Sequence, residues 1–163
     1  KKVLRGKYGW ELWAKVYRRE LFDEPMYIPC HLRIGEDATV YMQLVARSCK
    51  VKIINEALYN YIQYPSSASH QRSVTLAEET LQAAFYIDHL LKKESFYQEI
   101  RDEIDAMYLL FYSNSTRKAF LRLNHPLIYQ VYQEHYSLRA LKILPLFKSI
   151  YISLSLLLRK TLS

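Results

Sequence analysis

The stretch Val51-Lys-Ile-Ile-Asn-Glu-Ala-Leu-Tyr-Asn-Tyr-Ile62 decides whether this chain is purely helical or mixed. Residues 51–54 form a short β-branched run, residues 57–62 form a second apolar and aromatic run, and Asn55-Glu56 supplies a turn between them. Two such runs flanking turn residues predict a strand pair. Upstream, residues 10–22 alternate aromatics with charges, which reads as a short strand ending in a helical turn at residues 18–22. Pro25 and Pro29 bracket a loop. Gly35-Glu36-Asp37 then precedes a segment in which Val40, Tyr41, Leu44 and Val45 fit one face of a helix running to Arg47.

Pro65 and the serines at 66, 67 and 69 close this part, and everything after reads as helix. Thr75-x-x-Glu78 and Ser95-x-x-Gln98 are capping boxes, in which a hydroxyl and a carboxylate or amide satisfy orphan amides at a helix start. They predict helices from there to about residue 93 and about residue 112, the second with Phe96, Ile100, Ile104, Met107 and Phe111 on one stripe. Residues 113–116 break the pattern, and a short helix is expected to about residue 123. Pro126 suits the first turn of the next helix, Ser137 caps the last, and Pro145 is a kink or break. The fold class expected is therefore a helix-rich α+β chain. Its minor sheet is confined to residues 10–65, and its two parts are residues 1–72 and 73–163.

Composition narrows the function. Half of the 163 residues are hydrophobic and 24% are charged, which suits a packed core and excludes disordered and low-complexity classes. With three glycines, the chain has neither a dinucleotide-binding GxGxxG nor a GxxxxGK[ST] phosphate loop. The net charge of +7 is unevenly spread: residues 76–105 hold three Lys/Arg against eight acids, whereas residues 106–163 hold eight against one. A basic end of that kind suits an acidic surface as partner. Nucleic acid is not the expected one, because most of the fifteen tyrosines lie on apolar stripes rather than among exposed cations.

Cys30 and Cys49 have no CxxC spacing and too few neighbouring ligands for a metal, so no metal site is expected and a reducing compartment is. No signal or transit peptide is visible, and the opening Lys-Lys-Val-Leu-Arg-Gly reads as a piece of something longer. No window reaches the ~18 uninterrupted apolar residues of a membrane span. The nearest, residues 144–158, is interrupted by Lys148 and three serines.

Four segments, in order, carry a resemblance to a known family. Trp13-Ala-Lys15-Val-Tyr17-Arg-Arg-Glu-Leu-Phe22 resembles the W-x-K-L-Y-R-R-E-L-[LF] segment of family 2 glycosyltransferases. Gly35-Glu36-Asp37 is similar to that family's GED. The run from Val51 to Tyr61 is similar to its iN-x-x-L-Y-x-Y strand pair, and Ser66-Ser-Ala-Ser69-His70 to the serine-rich stretch where its catalytic domain ends. The resemblance implies the acceptor-side half of a GT-A domain, followed by a helical C-terminal region. It also implies a nucleotide-sugar donor, a glycan or lipid-linked acceptor, magnesium or manganese, and inversion at the anomeric carbon. Bacterial surface polysaccharide or lipopolysaccharide synthesis is the setting it points to.

An inverting transferase needs a base to take the acceptor hydroxyl's proton. By resemblance that base is Asp37, with Glu36 holding the acceptor or orienting the site. Trp13 and Lys15 would shape the acceptor pocket, and His70 would reach the donor diphosphate. The ordinary alternative for Glu36-Asp37 is a helix cap and dipole partner. The donor half's Asp-x-Asp motif has no match, since Asp102-Glu-Ile-Asp105 has the wrong spacing and lies on a predicted helix. The metal ligands are therefore expected outside this chain, and these residues alone are expected not to turn over.

In the tail, Leu144, Phe147, Tyr151, Leu154 and Leu158 share one helical face with Lys142, Lys148, Arg159 and Lys160 nearby. That pattern suits an interfacial helix on anionic lipid through residues 142–160, and a cytoplasmic protein peripheral on the inner membrane face. The competing reading is a non-catalytic helical interaction or membrane-surface module, in which Asp37 is dispensable.

Overall fold

The apolar stripe through Ile104, Met107 and Phe111 is the axis of the fold, each side chain at most 3% exposed. A computed structural model describes residues 1–64, 67 and 70–161, the side chains of Lys160 and Thr161 excepted. A 3-10 turn at Arg19–Phe22 leads to α1 (Glu36–Arg47) and α2 (Val74–Leu91). A second 3-10 turn at Tyr97–Ile100 leads to α3 (Arg101–Ser115), α4 (Pro126–His135), α5 (Leu138–Ile143) and α6 (Leu146–Thr161). α3 packs against α2, α4, α5 and α6, while α1 lies on α2. One hydrophobic core runs through all of them, from Val3 and Leu4 to Ile152 and Leu156.

The α+β expectation is corrected. The chain is 54% helix, and among the described residues there is no strand and no sheet. The GT-A half-domain with its small sheet, expected over residues 1–72, is not what these residues build. Residues 51–62 do run without helix, but every one is exposed, and Leu58 N–H bonds to the nearby Glu56 carbonyl instead of to a ladder. The physical reason is the want of a partner. An isolated two-stranded hairpin is marginal in water, and the helices fill the core without leaving a face for it. The strand expected within residues 10–17 is likewise absent, interrupted by Ala14 at φ 57°.

The helix punctuation is closer to expectation. Pro126 opens α4, and Ser137 Oγ caps α5 by accepting from Ala140 N–H at 3.1 Å. Pro145 falls between α5 and α6. Ser73, not Thr75, caps α2, accepting from Leu76 N–H at 3.1 Å. The Ser95 box gives the 3-10 turn instead of starting α3, and residues 117–123 are not helical.

Among the polar groups buried in the helical core, Asp88, His135 and Arg159 each hold hydrogen-bond partners, though His135 Nε2 has none among the described residues. Asp88 accepts from the hydroxyls of Tyr97 at 2.6 Å and Tyr108 at 3.1 Å, and pairs with Lys92 at 3.1 Å. Burial, with Asp88 beside it, pushes Tyr97 up to about 12 and Tyr108 higher still. His135 stacks on Tyr108 and meets Asp105 through Nδ1 at 2.8 Å. Arg159, expected among the tail's surface cations, is buried between the rings of Tyr112 and Phe120. Its Nε donates to the Leu121 carbonyl at 2.8 Å, and Nη1 donates to Ser155. A buried charge survives only when bonded in this way.

Candidate functional site

Gly35 sets the site. It caps α1 at φ 95°, a backbone region that side chains rarely adopt, and a Cβ there would lie 2.4 Å from that of Ala83 on α2. α1 can therefore begin hard against α2 only with glycine at its cap. The preceding turn is fastened to the same helix. Arg33 donates to Glu79 three times, from its main-chain N–H at 2.9 Å, Nε at 3.2 Å and Nη2 at 3.0 Å. Burial on its own would raise the Glu79 carboxyl, but these bonds and the guanidinium charge outweigh it and hold the group below its ordinary 4.5.

Glu36 and Asp37 are thereby placed in the first turn of α1, where the helix dipole favours ionised carboxylates. They line an open cleft of about 720 Å³. Asp37 Oδ2 accepts from Leu12 N–H at 3.4 Å, which ties the Trp13 segment to the helix start. Glu36 Oε2 is buried and has no hydrogen-bond partner among the described residues. A buried acceptor left unmade is costly.

The other expected site residues sit around these two. His70 lines the cleft. Trp13 stands behind the lining, stacked on Tyr61 at 4.4 Å and 6° and on Tyr59 at 5.4 Å; Tyr61 itself lines the cleft. Lys15 lies one step back. Its Nζ donates to the Glu11 carbonyl at 2.6 Å, pairs with Glu11 Oε1 at 3.3 Å, and stands 4.8 Å over the Tyr41 ring. Tyr17 donates to the Leu12 carbonyl, and burial, with Tyr41, Asp37 and Glu11 adding to it, pushes its hydroxyl up to about 12. Residues 65, 66, 68 and 69, most of the serine-rich stretch, lie outside the described residues.

Several lining residues carry no sequence signal at all. Trp10 stacks on Phe111 at 4.5 Å to form an aromatic floor. Asn114, Arg117 and Lys118 come from the end of α3 and just beyond, and Arg72 from just before α2. Among the described residues no cluster of His, Cys, Asp or Glu is arranged to hold a metal. The two cysteines are exposed and unbonded to each other. No helix among the described residues is long and apolar enough to cross a membrane.

Compared with known proteins, the chain matches no family model, no curated protein and no solved structure.

The Arg33–Glu79 staple has a pH signature. A carboxyl depressed by folding stabilises the fold above its unfolded pKa, and that share is lost as pH falls through the folded value. Glu79→Gln should therefore lower the melting temperature at pH 7, and the gap to wild type should narrow from pH 4.5 downward. Thermal melts at pH 7, 5, 4 and 3 check this; a gap that stays constant would contradict it.

Proposed function

We propose that this chain is part of an inverting glycosyltransferase that moves a sugar from a nucleotide-sugar donor to an acceptor hydroxyl. The observation that supports it is the pairing at the start of α1. Asp37 and Glu36 line one cleft together, and Glu36 Oε2 is buried without a hydrogen-bond partner among the described residues. On this reading Asp37 takes the proton from the acceptor hydroxyl as that oxygen attacks the anomeric carbon and the nucleoside diphosphate departs. Glu36 accepts a hydrogen bond from a neighbouring hydroxyl and orients the acceptor. The Tyr61 ring, backed by Trp13, offers an apolar face to a sugar, and Lys15 positions the segment through Glu11. His70 lies where a donor diphosphate would pass.

Magnesium or manganese belongs to the same reading, but the described residues do not form a site for it. Its ligands, and the recognition of the nucleotide, are assigned to residues outside this chain, and no step is drawn through the metal.

A second feature supports an anionic membrane surface as partner. α6 has two apolar faces. Ile152 and Leu156 point into the core, while Phe147, Ile150, Tyr151, Leu154 and Leu157 on the other side are 45–68% exposed. Arg139 and Lys142 on the preceding α5 are exposed, and Lys148 on α6 is half-buried. Apolar residues flanked by cations suit the headgroup boundary of anionic lipid. Leu144 and Arg159, expected to share this role, are buried instead. The same face would also serve the alternative reading, a helical membrane-surface module without catalysis, and Asp37 separates the two.

In the full chain carrying these residues, Asp37→Asn should lower kcat for acceptor-dependent release of nucleoside diphosphate by about 10²–10⁴-fold. Glu36→Gln should act mainly on the KM for acceptor. Equal turnover in wild type and Asp37→Asn would make Asp37 a helix cap and favour the non-catalytic reading. For the tail, co-sedimentation with phosphatidylglycerol vesicles should weaken about fivefold in Lys142→Gln and roughly tenfold in Leu154→Ser. Equal sedimentation of wild type and both variants would remove the membrane assignment.

A further inference from the structure

The cleft has a second wall, and its chemistry is opposite to that of Glu36 and Asp37. Arg72, immediately before α2, lies with Arg117 and Lys118, immediately after α3, on the lining of the same 720 Å³ space. These residues are 45 or more positions apart in sequence, and the packing of α2 against α3 brings them together. Lys118 Nζ spans the junction, donating to the Gln71 carbonyl at 3.3 Å. Arg72 and Arg117 are exposed, and neither has a carboxylate partner among the described residues. Arg5, Arg33 and Arg101 differ: Arg5 pairs with Glu103, Arg33 with Glu79 and Arg101 with Asp105. Of the acids that line the cleft, Glu11 is engaged by Lys15, Asp37 accepts from Leu12 N–H and Glu36 Oε2 has no partner among the described residues, and none of the three pairs with Arg72 or Arg117.

Two guanidiniums on one lining without a carboxylate partner are unfavourable. Burial first, and then the charge of Arg72, lowers the pKa of Lys118 from the ordinary 10.5. A multiply charged anion would relieve both effects. Guanidinium forks match phosphate oxygens in shape as well as charge, and the lysine adds a point charge beside them.

We propose that Arg72, Arg117 and Lys118 form a phosphate-binding wall, so that the ligand meeting Glu36 and Asp37 carries a phosphate group seated in the same cleft. The inference deepens the transferase reading and rests on it for the identity of the ligand, though not for the anion itself. Two sources share this chemistry, a phosphate on the acceptor and the diphosphate of the donor. In either case the wall orients the reacting groups, because a charge-assisted contact fixed at one end of a ligand sets the position of the other.

Calorimetric titration of the protein with inorganic pyrophosphate tests the wall directly. Binding should be measurable in ~0.1 M salt, where exposed charges are screened beyond about 10 Å. It should weaken about tenfold or more in each of Arg72→Gln and Arg117→Gln, both exposed positions where the fold is retained. Absence of binding, or equal affinity in wild type and both variants, would overturn the proposal. Parallel titrations with glucose 1-phosphate and uridine diphosphate assign the source. Dependence on Arg72 and Arg117 for the sugar phosphate alone supports an acceptor phosphate, and dependence for the nucleotide alone supports the donor. None of these readings depends on turnover. If Asp37 proves dispensable, the transferase reading falls while the wall is still judged on pyrophosphate.

Discussion

The contact of Gly35 with Ala83 is the constraint from which the cleft follows. A helix can begin this close to another only if its cap has no side chain and a left-handed backbone, and Gly35 meets both conditions. The turn leading into it is held by three bonds from Arg33 to Glu79, so the start of α1 is fixed in position as well as in angle. Two carboxylates placed in that first turn then share a cleft wall whatever else the chain does. The Trp13 segment is drawn to the same point by Leu12 N–H on Asp37. α2 is the common support, since it bears Ala83 and Glu79 on one side and packs on α3 along another.

The helices were legible because a buried face repeats every three to four residues and repeats for several turns. The stripe from Ile100 to Phe111 is the clearest example, and Pro126 and Ser137 mark their helix starts by chemistry that needs no tertiary contact. The start of α2 was misread by two residues because Ser73 and Thr75 both offer a capping hydroxyl, and only packing decides which is used. The strand pair was misread for a different reason. β-branched and aromatic runs report a preference for extended backbone, and residues 51–62 do stay out of helix, but a sheet needs a partner that local sequence does not specify. Arg159 shows the same limit: a cation next to an apolar stripe reads as surface, yet its stem and guanidinium are enclosed by aromatic faces and carbonyls.

The candidate site divides along the same line. Glu36, Asp37 and His70 could be singled out from short motifs, and they do line one cleft. The cationic wall could not, because Arg72 and Arg117–Lys118 become neighbours through helix packing alone. The resulting cleft is a polarised space, with acids at the start of α1 and cations where α2 begins and α3 ends. Such an arrangement suits a ligand with a neutral polyhydroxyl part and a negatively charged part. No residue of α6 lines the cleft, so the proposed surface attachment and the proposed ligand binding would draw on different residues.

The central claim is that Asp37 acts as a base rather than as a helix cap, and chemical rescue separates the two most directly. In Asp37→Ala the base is removed and a small space is left at the start of α1. The account predicts that acceptor-dependent release of nucleoside diphosphate is lost in this variant of the full chain and is partly restored by added formate, which supplies a carboxylate in its place. A variant that turns over at the wild-type rate without formate would contradict it.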